Sequence, residues 1–275
     1  MIKEGNTVTV IDSLDTSKVP DYAVDFVKCN ILDLDLAPYM QEADVVYYLA
    51  GAVGVEYIDK NPSSTLFNNI ELMNKLIPIF EKYQKKVIFS STSEVYGEGP
   101  FKEDNNLSIG PPTKLRWGYA CAKLMTEFMI RASTFPSVIV RFFNVVGPGQ
   151  SSEYGMVLPR FVEAAKAGKN LIVYGDGKQV RSFCHIKDAV NALKLLETEE
   201  GIYNVGNDTP TSMNELALAV LGELATTSSK KFRPYEKDFS KEHGDIYYRV
   251  PDISKLKELG YEPKYNLRDI IKDML

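Results

Sequence analysis

Short apolar segments alternate with longer periodic segments along the first two thirds of the chain. Apolar residues at helical spacing predict helices over residues 62–83, 119–133 and 156–167. Segments rich in Val, Ile, Tyr and Phe predict strands at residues 7–12, 24–29, 44–50, 87–91, 137–142 and 171–174. Because helices separate the strands and no hairpin signals join them, we expect an α/β protein with a parallel sheet. Right-handed crossovers make such a sheet doubly wound and Rossmann-like.

The pattern divides the chain into two parts. Residues 1–147 carry the regular alternation of strands and helices. Residues 148–275 carry shorter elements, which predict a small mixed α/β lobe with some segments returning to the main sheet. In this second part, Ser212 and Glu215 have the spacing of a helix capping box, and residues 226–231 are typical of a surface loop.

The composition narrows the class of protein. The chain has 275 residues, of which 44% are apolar, and its 32 basic and 37 acidic residues give a net charge of -5. An acidic balance argues against nucleic-acid binding. The sparse cysteines and histidines argue against a disulfide framework and a metal site: they are Cys29, Cys121, Cys184, His185 and His243. Because no apolar stretch approaches the ~20 residues of a membrane helix and no signal peptide is visible, we expect a cytoplasmic protein.

Candidate chemistry lies at the ends of the predicted strands. In an open parallel sheet, ligands bind beyond the carboxyl ends of the strands. The first strand ends at Asp12, a carboxylate suited to the hydroxyls of an adenine ribose. Residues 44–50 (DVVYYLA) predict a strand buried on both faces, followed by Gly51, where a backbone can approach a ligand closely. Residues 90–97 (SSTSEVYG) place a row of hydroxyls and a carboxylate at another strand end, which suits acid–base work.

Tyr119 and Lys123 are four residues apart and share one face of a predicted helix. A nearby ammonium lowers the pKa of a tyrosine, so the phenolate of Tyr119 can take a proton from a substrate hydroxyl. Thr92 precedes this pair by 119 − 92 = 27 residues, and the strand end at Arg141 follows it by 141 − 123 = 18 residues. The order of these three motifs along the chain makes Tyr119 and Lys123 better candidates for an active site than their helical spacing alone would.

With these motifs in this order, the chain resembles a known family. It is similar to the extended short-chain dehydrogenases/reductases that act as NAD-dependent sugar-nucleotide epimerases and dehydratases. The motifs span nearly the whole chain: residues 90–97 (SSTSEVYG), 116–123 (RWGYACAK), 141–148 (RFFNVVGP), 154–161 (YGMVLPRF), 173–188 (VYGDGKQVRSFCHIKD) and 249–252 (RVPD).

The resemblance implies a role for many individual residues. The implied catalytic residues are Thr92, Tyr119, Lys123 and Glu94. The implied NAD site contains Tyr119 and Lys123 again, together with Asp12, Asp33, Leu49, Ala50, Gly51, Asn69, Ser90 and Phe142. The implied site for a UDP-sugar contains Thr92, Asn144, Val173, Arg181 and Arg249, with the arginines and Asn144 on the diphosphate and nucleotide and Val173 near the base. The resemblance also implies a homodimer formed through two helices, one of which carries Tyr119.

The chain departs from the family in one motif. The glycine-rich loop G-x-x-G-x-x-G, which cradles the cofactor pyrophosphate, is absent from the sequence. Residues 1–5 read like the end of a helix, so we expect the chain to begin after the central strand and most of the first helix. That expectation implies two exposed strand edges and a weakened or lost pyrophosphate site.

The resemblance leaves several reactions open. Removal of hydride from C4 of the sugar is common to the family. We expect a UDP-hexose 4-epimerase, with a UDP-glucuronate decarboxylase as the alternative. A 4,6-dehydratase ranks third, because Ser93 stands where a Thr-Asp-Glu triplet has its aspartate. A hypothesis of another class, motivated by the absent loop, is a non-catalytic sugar-nucleotide-binding protein.

Overall fold

A parallel four-stranded sheet forms the centre of the fold. The computed structural model describes residues 1–13, 25–51, 58, 60–224, 226–234 and 246–275. The sheet has the strand order β10-β5-β4-β3. Its strands are β3 (Val45–Tyr48), β4 (Lys86–Thr92), β5 (Ser137–Phe142) and β10 (Gly201–Val205). Since β10 comes from the second part of the chain, that part contributes to the main sheet. The division at residue 147 stays a prediction.

Helices cover both faces of this sheet. The first part of the chain contributes α1 (Ala37–Glu42), α2 (Pro62–Tyr83) and α3 (Trp117–Arg131), and a short 3-10 helix, Ser93–Tyr96, follows β4. The second part contributes α4 (Val157–Lys166), α5 (Ile186–Leu195), α6 (Met213–Leu224), α7 (Ser254–Glu258) and α8 (Leu267–Asp273). The predicted helix over residues 62–83 is confirmed at both ends, since Pro62 starts it and Gln84 ends it at a positive φ of 51°.

Alternate residues of the central strands pack into two different cores. Val87 and Phe89 of β4 join a cluster with residues of α2, whereas Ile88 joins a cluster with residues of α5 and α7. Such alternation is what a sheet covered on both faces requires. The Rossmann-like α/β architecture predicted from the sequence is therefore confirmed.

A second, two-stranded parallel sheet contains β1 (Thr9–Asp12) and β2 (Asp25–Lys28). Within the described part of the chain, β1 is hydrogen-bonded to β2 alone and β3 is hydrogen-bonded to β4 alone. The strand predicted within residues 44–50 packs against a core on each face, with Val45 and Tyr47 on one side and Val46 and Tyr48 on the other, but it is only partly buried. Of β3, Tyr48 is buried while the three preceding residues are half-buried, because one edge of β3 has no neighbouring strand among the described residues.

Short strands and helices of the second part form a lobe with its own core. Its strands are β6 (Val145–Val146), β7 (Leu171–Tyr174), β8 (Val180–Arg181), β9 (Cys184–His185), β11 (Thr211–Ser212), β12 (Lys230–Arg233) and β13 (Tyr248–Arg249). Helices α4, α6 and α8 pack around one apolar cluster. The capping box is confirmed, since Ser212 N–H donates to Glu215 and Glu215 N–H donates to the Ser212 hydroxyl.

The prediction of a surface loop over residues 226–231 is wrong at its end. Lys230 and Lys231 belong to β12, which pairs in parallel with β7. Two consecutive lysines mask a strand in the hydropathy pattern, and the pairing with β7 supplies the backbone hydrogen bonds that define it. No helix in the described residues has the length and hydropathy needed to cross a membrane.

Asp188 fixes the C-terminal segment to α5. Its carboxylate is buried and accepts the backbone N–H groups of Lys264 and Tyr265 at 3.1 Å. His185, which caps α5, stacks on the ring of Tyr265 and meets Asp273 at 3.2 Å. The chain after α7 is therefore held to α5 by polar contacts as well as by packing.

We expect Asp188→Ala to lower the free energy of unfolding by about 1–3 kcal/mol, because two backbone N–H groups lose their acceptor. Equilibrium urea unfolding at neutral pH measures the change. Asp104→Ala, at an exposed position, is the control and should change the free energy by less than about 0.5 kcal/mol. Equal effects of the two substitutions would contradict the anchoring role of Asp188.

Candidate active site

Thr92 and Tyr119 meet at the carboxyl end of β4. Thr92 is the last residue of that strand, and Tyr119 lies in the first turn of α3. The Thr92 side chain acts on the ionisation of Tyr119, and the Thr92 hydroxyl accepts the backbone N–H of Glu94 at 3.3 Å. The structure therefore brings together two of the residues predicted to be catalytic.

The predicted lowering of the Tyr119 pKa is not found. Burial raises the pKa of Tyr119 to about 12, with the negative charge of Glu94 acting in the same direction and the hydrogen bond with Thr92 opposing it. Lys123 has a different contact, since its Nζ donates to the carbonyl oxygen of Ser90 at 3.0 Å. The helical spacing alone could not show that burial and a neighbouring carboxylate outweigh the ammonium.

Lys123 is buried beneath the end of the sheet. Its Nζ lies 4.9 Å from the centre of the Phe89 ring, in the geometry of a cation–π contact. Burial lowers the pKa of Lys123 to about 8, although the negative charge of Glu127 opposes this shift. Lys123 is therefore mainly an ammonium at neutral pH, although this pKa lies only slightly above neutral.

A space for a cofactor lies between Gly51, Asn69 and Lys123. A Cβ placed on Gly51 would lie 3.1 Å from the Nζ of Lys123 and 3.3 Å from the Oδ1 of Asn69. Asn69 is buried, and its amide donates to the carbonyl oxygen of Thr65. A glycine at the end of β3 keeps this space open, with an ammonium and an amide on its wall. These groups fit the ribose and nicotinamide end of NAD, which presents hydroxyl and amide groups.

The other residues predicted to bind NAD lie at several strand ends. Asp12 ends β1, Asp33 lies exposed in the turn after β2, and Leu49 and Ala50 are exposed just after β3. Leu49 has 53% of its surface exposed, which leaves its side chain free to contact a ligand. Phe142 instead packs against the core cluster beside α5. Contact of these residues with NAD stays a prediction.

Glu94 lies between two arginines beside Thr92 and Tyr119. Arg116 donates to Glu94 Oε2 at 2.9 Å, and Arg249 donates to Glu94 Oε1 and to Asn144 Oδ1. Burial on its own would raise the pKa of the Glu94 carboxyl, but the charges of Arg249 and Arg116 outweigh burial and lower this pKa to about 2. Glu94 is therefore an anion at neutral pH.

The residues predicted to bind the substrate surround this cluster. Arg181 and Arg249 are register partners on the adjacent strands β8 and β13. Asn144 has a positive φ of 37° and donates to the carbonyl oxygen of Ser182 at 2.8 Å. Val173 differs, because its side chain is buried in the core of the lobe. A contact between Val173 and a base would therefore use its backbone, and these assignments stay predictions.

The sequence did not single out several residues that build the site. Arg116 and Arg141 stand within quoted motifs, but no function was assigned to either. Glu127 lies one helical turn after Lys123, a spacing that could have indicated it. Ser91 belongs to the row of hydroxyls predicted at residues 90–97, but its bond to Glu127 has no signal in the sequence. Asn204 has no such signal either, because its partners are distant in sequence. Among the described residues, no group of three or more His, Cys, Asp or Glu side chains could hold a metal ion.

Comparison with known proteins agrees with this geometry. Residues 1–206 match the family model described as the NAD dependent epimerase/dehydratase family. The chain belongs to this family. It is therefore an NAD-dependent enzyme of sugar-nucleotide chemistry, and the alternative of a non-catalytic binding protein is not supported. The resemblance stated from the motifs is confirmed.

Three similar proteins illustrate the range of the family. The UDP-N-acetyl-alpha-D-glucosaminuronate decarboxylase of Bacillus cytotoxicus is 34% identical over 292 residues, which cover 100% of this chain and 91% of that protein. The UDP-glucuronic acid decarboxylase 2 of Arabidopsis thaliana is 32% identical, and the alignment covers 98% of this chain and 62% of the plant protein. The structure of a UDP-N-acetylglucosamine 4-epimerase from Methanobrevibacter ruminantium, in complex with UDP-N-acetylmuramic acid, has a TM-score of 0.85 at 29% identity, covering 97% and 90% of the two chains.

We expect the low pKa of Glu94 to make stability depend on acid pH. The unfolded state binds a proton at this carboxyl near pH ~4.3, whereas the folded state binds it only near pH 2. The stabilisation from Glu94 is thus complete above about pH 5 and is lost as pH falls toward 2. Urea unfolding between pH 6 and pH 3 should show a smaller loss of stability for Glu94→Gln than for wild type.

The exposed Glu71→Gln is the control for this experiment, and its free energy of unfolding at neutral pH should lie within about 0.5 kcal/mol of wild type. Parallel pH profiles for Glu94→Gln and wild type would show that Glu94 is not held as an anion by its arginines.

Proposed function

We propose that the protein is an NAD-dependent decarboxylase of a UDP-hexuronic acid. The observation that carries this proposal is the convergence of Arg116 and Arg249 on Glu94, next to Thr92 and Tyr119. Two guanidinium groups and one carboxylate give this cluster a net charge of 2 − 1 = +1. The Nε–H of Arg249 is buried and has no hydrogen-bond partner among the described residues.

A carboxylate on C6 of the sugar is the substrate group that suits this charge. Guanidinium groups bind carboxylates through charge-assisted hydrogen bonds, which are stronger than neutral ones. A neutral hexose would offer no charged acceptor to the buried Arg249 Nε–H, which costs free energy in a buried site. In this arrangement, Arg249 binds the sugar carboxylate and Arg181 binds the diphosphate.

The residues of the site can perform each proton step. When bound, NAD would supply a hydride acceptor for C4 and a positive charge that favours the phenolate of Tyr119, and Lys123 and Asn69 beside Gly51 would hold its nicotinamide ribose. Tyr119 then takes the proton of the C4 hydroxyl, and a ketone forms at C4. The Thr92 hydroxyl, at the end of β4 beside Tyr119, can donate to the same oxygen.

Loss of carbon dioxide follows from the position of that ketone. The C6 carboxylate is β to it, so the C5–C6 bond breaks, its electrons form an enolate with the oxygen at C4, and carbon dioxide leaves. Tyr119 and Thr92 stabilise the enolate oxygen by hydrogen bonds. A solvent proton adds at C5, the hydride returns to C4, and Tyr119 gives its proton back to the C4 oxygen. Throughout, Glu94 stays ionised and orients the arginines.

A second candidate is the 4-epimerase expected from the sequence. Similarity to a solved UDP-N-acetylglucosamine 4-epimerase supports it, as does the fact that epimerisation needs only Thr92, Tyr119 and Lys123 from this site. The oxidation at C4 is shared, but the hydride returns to the opposite face of the sugar. A 4,6-dehydratase is less well supported, because it needs an acid to expel water and Glu94 is held as an anion.

The two reactions have different products, so a product assay separates them. The purified protein is incubated with NAD and one UDP-sugar at a time. The four UDP-sugars are UDP-glucuronate, UDP-N-acetylglucosaminuronate, UDP-glucose and UDP-N-acetylglucosamine. We expect carbon dioxide and a UDP-pentose or its N-acetylamino counterpart from one of the two uronates. A C4 epimer formed without carbon dioxide would replace the decarboxylase by the epimerase.

Tyr119→Phe is the control for this assay. It removes the proton acceptor, so turnover should fall by about 100-fold or more while binding of the UDP-sugar persists. Binding is measured by calorimetry with the same uronate. Unchanged turnover would remove Tyr119 from the proposed mechanism.

We also propose that the protein is a homodimer formed through α2 and α3. These helices pack side by side, and their outer faces expose large apolar residues: Phe67, Met125 and Phe128, with Leu115 just before α3. Phe128 has 65% of its surface exposed although it is a phenylalanine. A second copy of the same two helices covers such a patch by two-fold symmetry.

We expect Phe128→Asp to convert the dimer into a monomer, because it places a charge in the apolar contact. Light scattering after size exclusion measures the mass of wild type and variant. Leu218→Asp, a change at an equally exposed apolar position on α6, is the matched control and should stay dimeric. A monomeric wild type would exclude the dimer. A Phe128→Asp variant that remains dimeric would place the interface elsewhere.

A further inference from the structure

Glu127 joins three elements directly behind the catalytic residues. It lies on α3 and has 2% of its surface exposed. Its carboxylate accepts two hydrogen bonds from Arg141 of β5, at 3.0 Å from Nε and 2.7 Å from the terminal nitrogen, and one from the hydroxyl of Ser91 on β4. This carboxylate therefore ties the helix that carries Tyr119 to both central strands.

Lys123 makes the second link between the same helix and the same strand. Its Nζ donates to the carbonyl oxygen of Ser90, the residue before Ser91. Consecutive residues of β4 thus bond to Lys123 and Glu127, which are one helical turn apart. These two links hold α3 in register with the strand that ends at Thr92.

We propose that Glu127 is a positioning residue for Lys123, because its carboxylate, fixed by Arg141 and Ser91, keeps the ammonium charged and next to the space at Gly51. This inference rests on the proposed role of Lys123 in the reaction. Stability does not account for the arrangement, since a buried ion pair can often be replaced by apolar residues without a loss of stability.

The surroundings of Lys123 make Glu127 the group that controls its charge. The helix α2 contributes the neutral Asn69, and β4 contributes the Ser90 carbonyl and the Phe89 ring. From α3 come Tyr119 and Glu127. Burial lowers the pKa of Lys123 to about 8, and among the described residues Glu127 is the charged group that opposes this shift.

The test is a titration of Lys123 in Glu127→Gln, which keeps the shape of the side chain and removes its charge. The NMR shift of the Lys123 Cε in lysine-labelled protein, assigned with Lys123→Met, reports the titration without cofactor or substrate. We expect a pKa of about 8 in wild type and a lower pKa in Glu127→Gln, since a neighbouring negative charge is lost. The control Glu71→Gln, an exposed change on α2, should titrate like wild type.

The pH dependence of turnover is the second readout. Because the ammonium is the working form of Lys123, the alkaline limb of kcat should move to lower pH in Glu127→Gln. At pH 8 we expect kcat to fall by about tenfold while KM stays within about twofold of wild type. A residue with only a packing role would lower kcat equally at every pH.

A second variant keeps the inference testable if Glu127→Gln does not fold. The double variant Glu127→Gln/Arg141→Gln removes both members of the ion pair, so neither Glu127 nor Arg141 is left as a buried charge without the other. Lys123 again loses the neighbouring carboxylate, so its pKa should again be lower than in wild type.

The outcomes separate this inference from the proposed function. A wild-type protein without turnover on any of the four UDP-sugars contradicts the proposed function, while a lowered Lys123 pKa in the variant still supports the role of Glu127. An unchanged Lys123 pKa in both variants overturns that role, whatever the enzyme converts.

Discussion

The buried ion pair between Glu127 and Arg141 is the interaction on which the geometry of the site depends. It joins α3 to β5, and through Ser91 it also joins both to β4. The side chains of the pair have 3% of their surfaces exposed, so water does not screen them. A buried carboxylate and guanidinium tolerate little displacement, because each loses its solvation and depends on the other. The positions of Thr92 and Tyr119 follow from where these elements are fixed.

A second buried group connects the two halves of the site. Asn204 of β10 makes four hydrogen bonds: its backbone N–H donates to Glu103, its Oδ1 accepts from Tyr96, and its Nδ2 donates to the carbonyl oxygens of Phe101 and Asp252. Tyr96 lies two residues after Glu94, and Asp252 lies three residues after Arg249. The contact between Glu94 and Arg249, which are 155 residues apart, is therefore supported by a neutral amide in the core.

The sequence was sufficient where local signals agree with the fold. Residues 62–83, 137–142 and 171–174 were predicted with the bounds that the structure has, since Pro62 starts a helix and the strands are short runs of β-branched residues. The sequence does not predict an element that forms only because it pairs with a strand distant in the chain. The strand β12 begins with two lysines, and it forms because β7 supplies its partner. Likewise, the motifs predict Tyr119 and Glu94 as site residues, but the ionisation of these two side chains depends on groups that only the fold brings together.

The motif that contains Glu94 does not by itself show whether this side chain is a protonated acid or an anion. A carboxylic acid after a Thr-Ser pair has the position of a working acid in the family pattern, and an acid is what expulsion of water requires. Between Arg116 and Arg249 the same side chain is an anion with a pKa of about 2, so it has no proton to give at neutral pH. What it supplies instead is a fixed orientation for two guanidinium groups, whose combined charge exceeds its own. Under the proposed function, a carboxylate on the sugar is the ligand of Arg249, and the oxidation at C4 that the family shares makes that carboxylate labile.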